Sequence, residues 1–70
     1  MYINQIRLWK KGVEKGIVSH SAIRAGEYFM IVSMEYSVAY PYCTIRYLSD
    51  SKTETVFLKR IDEDSFNTED

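Results

Sequence analysis

Catalysis in a 70-residue chain would have to be built from a short list of side chains, because Cys43 is the only cysteine and His20 the only histidine. A covalent nucleophile needs a base within hydrogen-bond reach, and the candidates are Cys43 with His20, or Ser19 or Ser21 beside His20. Cys43 alternates with Ile45 in an apolar run, which is the pattern of a small buried hydrophobe. His20 between two serines reads as a polar loop residue. One cysteine and one histidine far apart supply neither a zinc site, nor a redox motif, nor an internal disulfide. Asp62 and Asp64 would suit acid–base or divalent-metal chemistry only if held rigidly, but they begin an acidic run that reads as solvated. Gly12 and Gly16 lie four apart without the Lys-Ser/Thr that completes a phosphate loop. The expectation is a non-enzymatic protein with no cofactor and no metal.

Binding chemistry is better supplied. Six tyrosines, three phenylalanines and one tryptophan are a large share for so short a chain, and Tyr36, Tyr40 and Tyr42 cluster around Pro41. Tyrosine offers rigid contact area with a polar tip at low entropic cost, the reason interfaces favour it. Trp9, near Arg7, Lys10 and Lys11, is a further anchor. With Arg46, those four also make an alternative patch for single-stranded nucleic acid, by base stacking and phosphate neutralisation. Tyr28 and Tyr47 fall within apolar runs and are expected in the core.

Near-neutral net charge hides an asymmetry. Residues 1–61 carry all nine Lys and Arg against five acids, a body of +4, and residues 62–70 carry five acids and no base, −5. The acids Asp62, Glu63 and Asp64 could steer toward, or occupy, a basic site on a protein partner. No basic segment followed by an apolar one opens the chain, and the longest apolar stretch, Tyr28 to Val32, is far short of the ~20 residues of a membrane span. A soluble cytoplasmic protein is expected, and a lone cysteine suits a reducing compartment.

The elements that must position these residues read as strands, short and rich in β-branched and aromatic residues between Gly12, Gly16, Gly26, Pro41 and the polar Ser49-Asp50-Ser51-Lys52. Glu27 to Glu35 reads as a central strand covered on both faces. Tyr42 to Leu48 has one buried face, with Cys43, Ile45 and Tyr47 together. Thr53 to Ile61 follows a polar turn and completes an antiparallel hairpin. Ser37 to Pro41 is the preceding loop. Tyr2 to Trp9 fits a strand with Ile3, Gln5, Arg7 and Trp9 on one side, and less well a helical stripe. Val13 to His20 would be a fifth strand. Residues 62–70 are expected to be a mostly disordered acidic tail after a single domain over 1–61.

Five short strands without a convincing helix imply an all-β fold, a small, strongly bent antiparallel sheet whose closure into a barrel would remove exposed edges. Ala25-Gly26-Glu27-Tyr28-Phe29-Met30-Ile31-Val32, Thr44-Ile45-Arg46-Tyr47-Leu48 and Thr55-Val56-Phe57-Leu58 together resemble small SH3-like barrels over residues 13–61. The acidic first loop and strand-opening tryptophan of proline-peptide-binding members are not in place, so that ligand is not implied. In size and tyrosine-rich, tail-bearing character the chain also resembles small bacteriophage accessory proteins, which implies a regulator or inhibitor of a larger enzyme. Folding buries only ~60% of the surface of a chain this short, so stability is expected to be marginal, and a protein partner, or a homo-oligomer closing the sheet edge, would help.

Overall fold

The computed structural model describes residues 1–11 and 23–68. Val13 to His20, expected as a strand, lies outside the described residues, as do Ser19 and Ser21. The described chain forms β1 (Ile6–Trp9), β2 (Tyr28–Glu35), β3 (Tyr42–Tyr47), β4 (Thr53–Phe57), a short helix α1 (Leu58–Asp64) and β5 (Ser65–Asn67). All five strands join one antiparallel sheet in the order β4-β3-β2-β1-β5. The protein is mostly β, and among the described residues the sheet does not close: β4 and β5 are its two edges.

The core is the inward face of β1 to β4, with Ile61 of the helix and Ile23 from the segment before β2. Trp9, Phe29, Ile31, Cys43, Ile45, Tyr47, Val56, Ile61 and Ile23 are buried together. β2 and β3 contribute alternate residues, as the pleat requires. On β1 the buried set is Arg7 and Trp9, continued by Gln5 just before the strand. That is the side expected from the sequence, except that Ile3 is half exposed. Asn4, at φ 72°, turns the chain there, so the strand begins only at Ile6.

β2 holds the centre, between β1 and β3, but its two faces are not equally covered. Phe29 and Ile31 are buried while Tyr28 is 50% exposed, which corrects the expectation of a core Tyr28: it sits on the outer face, opposite Leu8 of β1. The register slips between Ile31 and Ser33. The extra residue changes which side chains face inward, a property of β-bulges. Met34 consequently packs on the core, opposite Cys43.

Two expectations about the C-terminal third are overturned. The strand expected over Thr53 to Ile61 stops at Phe57, and Leu58–Asp64 is helical. Leu58 and Ile61, three apart, fall on the same helix face and both turn to the core, an arrangement a strand could not give them. Arg60 and Asp64 form an ion pair on the following turn. Second, residues 62–67, expected to begin a disordered tail, finish α1 and form β5 beside β1. Arg7 supplies the reason. Its Nε donates to Ser65 Oγ at 2.7 Å and its Nη2 to the Ser65 carbonyl at 3.0 Å, both buried.

Candidate functional site

The loop between β2 and β3 carries the exposed Tyr36 and Tyr40, and three contacts shape it. Glu35 at the end of β2 accepts hydrogen bonds from Ser37 N at 2.9 Å and from Ser37 Oγ at 2.5 Å. These bonds hold the Glu35 carboxyl below the usual carboxylate range. Tyr36 OH lies 3.6 Å from Met34 Sδ, and Leu58 N donates to the Pro41 carbonyl at 2.9 Å. The last bond replaces a side-chain cap at the start of α1, since Phe57 in the capping position offers none. Loop and helix are thereby held side by side.

Between them lies an open cleft of about 850 Å³. Tyr36, Tyr40 and Pro41 form one wall, and Phe57 and Leu58 the other. The Tyr40 and Phe57 rings meet edge to face, centroids 6.3 Å apart. Tyr40 is 76% exposed, the most exposed of the large apolar side chains among the described residues, with Tyr36 at 59% and Phe57 at 52%. Lys59, Arg60, Asp62 and Glu63 line the cleft as well, so an apolar floor is bordered by charge of both signs.

The sequence-predicted binding residues divide cleanly. Tyr36, Tyr40, Asp62 and Glu63 come together in this cleft. Tyr42 is the first residue of β3, on the outer sheet face opposite Phe57, and does not line it. Asp64 pairs with Arg60, and its carbonyl accepts from Lys10 N at 2.9 Å. Trp9, expected as a surface anchor, is fully buried. It stacks at 4.7 Å on Phe29 and donates through Nε1 to Tyr47 OH at 3.2 Å. Sequence alternation places Phe57, Leu58 and Lys59 on one straight strand and gives no sign that they meet in this cleft, because the chain turns helical at Leu58.

The alternative nucleic-acid patch is not assembled. Trp9 cannot stack on a base from the core, and Arg7 is buried against Ser65, where desolvation lowers its pKa against the opposing influence of Asp62. Lys10 reaches over the Phe66 ring and donates to the Glu63 carbonyl at 2.9 Å. Lys11 and Arg46 are exposed; Arg46 stands on the outer sheet face, opposite Thr53.

Cys43 is buried in β3, and burial pushes its thiol pKa up, the opposite of what a thiolate nucleophile requires. Among the described residues no group of three or more His, Cys, Asp or Glu could hold a metal ion, and no helix is long and apolar enough to cross a membrane. Set against protein-family models, curated proteins and solved structures, the chain matches none.

Proposed function

We propose that this chain is a non-enzymatic protein-binding module that regulates a larger protein by placing the Tyr36–Tyr40–Phe57 cleft on its surface. The observation that carries the reading is the exposure of Tyr40, held at the mouth of an 850 Å³ cleft with Phe57 at its side. Exposed aromatic rings fixed by a scaffold are the usual anchors of protein interfaces. Asp62, Glu63 and Lys59 at the same cleft suit a polar rim around that apolar centre.

An SH3-like architecture belongs to the same proposal. It is supported by the last strand returning beside the first, the step by which a bent sheet begins to close.

The test is affinity purification from the native cell with the intact chain and with Tyr40→Ala. Truncating an anchor ring costs about 2 kcal/mol of binding, roughly a 30-fold loss of affinity. A partner recovered with the wild type and depleted with Tyr40→Ala supports the cleft. A partner recovered equally with both, while the variant keeps its circular dichroism, refutes it.

A further inference from the structure

The β3–β4 ladder determines which backbone groups of β4 are left over. Tyr47 N donates to the Lys52 carbonyl and Leu58 N to the Pro41 carbonyl, both at 2.9 Å. Those pairs share one register with Cys43–Val56 and Ile45–Glu54, and hydrogen-bonded pairs alternate with non-bonded ones along an antiparallel ladder. Glu54 and Val56 therefore turn their N–H and C=O groups toward β3. Thr53, Thr55 and Phe57 turn theirs outward, where the sheet formed by the described residues ends.

The two edges of the sheet are managed differently. β5 has three residues, and beyond it Thr68 closes back on the Ile6 carbonyl through Oγ1 at 2.7 Å. β4 has five residues in unbroken register with no Pro, Lys or bulge, and its one charge, Glu54, lies half-buried on the Val56 face. Its sequence, Thr-Glu-Thr-Val-Phe, is dominated by strand formers. Exposed amides and carbonyls at this spacing bond water in the monomer and form a template for another extended backbone.

We propose that a second copy of this chain fills that edge, β4 pairing antiparallel with β4 about a two-fold axis through Thr55. The sequence of β4 selects this register. Centred on Glu54, two carboxylates would face each other directly, which is destabilising. Centred on Val56, Glu54 would have to pair with Leu58, which belongs to α1. Centred on Thr55, all three outward-facing residues find bonded partners: Thr55 meets its own copy, and Thr53 meets Phe57 at either end. Glu54 then faces Val56, and no like charges within β4 are opposed. The net charge of −1 adds little repulsion between copies. A five-residue edge makes less contact than a standard interface of ~1,600 Å², so the dimer is reversible and concentration-dependent. Phe57, at either end of this pairing, also lines the tyrosine cleft, whereas Thr55 at the dyad does not, so substitutions at Thr55 test the dimer without altering the residues of the proposed function.

Sedimentation of the full chain across a concentration series, with a charge-swap pair at the dyad, tests it. Wild type approaches twice its 8.2 kDa mass at high concentration. Thr55→Lys and Thr55→Glu each weaken the dimer about tenfold through like charges at the axis, and an equimolar mixture of the two restores it. Wild type that stays monomeric, single variants that dimerise as wild type does, or a mixture that stays monomeric overturns the proposal. Amide exchange followed by NMR on the wild type requires no variant. The Thr53, Thr55 and Phe57 amides gain protection as concentration rises, while those of Glu54 and Val56 are protected throughout; three outward amides that exchange freely at every concentration also overturn it.

Discussion

Inside the core, the indole Nε1 of Trp9 donates to the hydroxyl oxygen of Tyr47 across 3.2 Å. The same oxygen accepts from Arg24 N at 3.1 Å, and the Arg24 guanidinium lies 4.4 Å from the centre of the Tyr47 ring. One phenol thus ties β1 and the Arg24 turn to β3. Trp9 is spent on this junction, which is why it is absent from the surface.

Tyr47→Phe removes the acceptor and leaves a buried indole N–H unpaired. A buried donor without a partner costs about 1–3 kcal/mol. A fall in Tm of about 4–8 °C per kcal/mol is expected by thermal melting for a domain of this size. A melting temperature unchanged from wild type would show that Trp9 finds another acceptor.

The pH dependence at the alkaline end follows from the same residue. Burial, partly opposed by its two hydrogen bonds, raises the Tyr47 pKa above 10. A raised folded-state value means the folded protein holds the proton more tightly than the unfolded chain. The resulting stability is complete below pH 10 and falls as pH rises past it. Denaturant titrations at pH 8 and above should show this loss, and a shallower one in Tyr47→Phe.

Ser65→Ala probes the junction that brings β5 to β1. Its hydroxyl accepts from Arg7 Nε at 2.7 Å and donates to the Ile61 carbonyl. Losing it strands a buried guanidinium N–H, at a cost of about 1–3 kcal/mol. Amide exchange should accelerate first in β5 and α1, since these elements rest on that contact.

Gly26 occupies the third position of the turn Arg24-Ala25-Gly26-Glu27 at φ +78°, with Glu27 N donating to the Arg24 carbonyl at 3.1 Å. A type II turn demands positive φ there. Space is not the obstacle, because an added Cβ would meet only Lys11 Cγ at 3.8 Å. Gly26→Ala should therefore cost about 1–2 kcal/mol from backbone strain alone, measurable by urea denaturation.

Tyr40→Ala and Ile45→Ala separate surface from core. Tyr40 is largely exposed and Ile45 fully buried. Chemical denaturation should find Tyr40→Ala within about 0.5 kcal/mol of wild type, and Ile45→Ala destabilised by about 2–5 kcal/mol.

Period-two alternation alone made β3 legible: Cys43, Ile45 and Tyr47 are buried as their spacing requires. The same logic gave the inward side of β1, and the polar Ser49-Asp50-Ser51-Lys52 marked the hairpin, where Lys52 N bonds Asp50 Oδ1 at 3.1 Å and Ser51 takes φ 62°. Tyr36 and Tyr40 were legible as exposed loop residues because Pro41 cannot continue a central ladder. Tertiary structure decided the rest. The slip after Ile31 depends on how β3 lies against β2, which no local pattern encodes. Leu58–Asp64 is too short for periodicity to reveal, and it is helical because Leu58 and Ile61 reach the core only in that form. Arg7 and Trp9 looked like a surface patch because cationic and polar-tipped side chains usually remain in water. Their actual partners, Ser65 and Tyr47, lie 58 and 38 residues away along the chain, and only folding could bring them together.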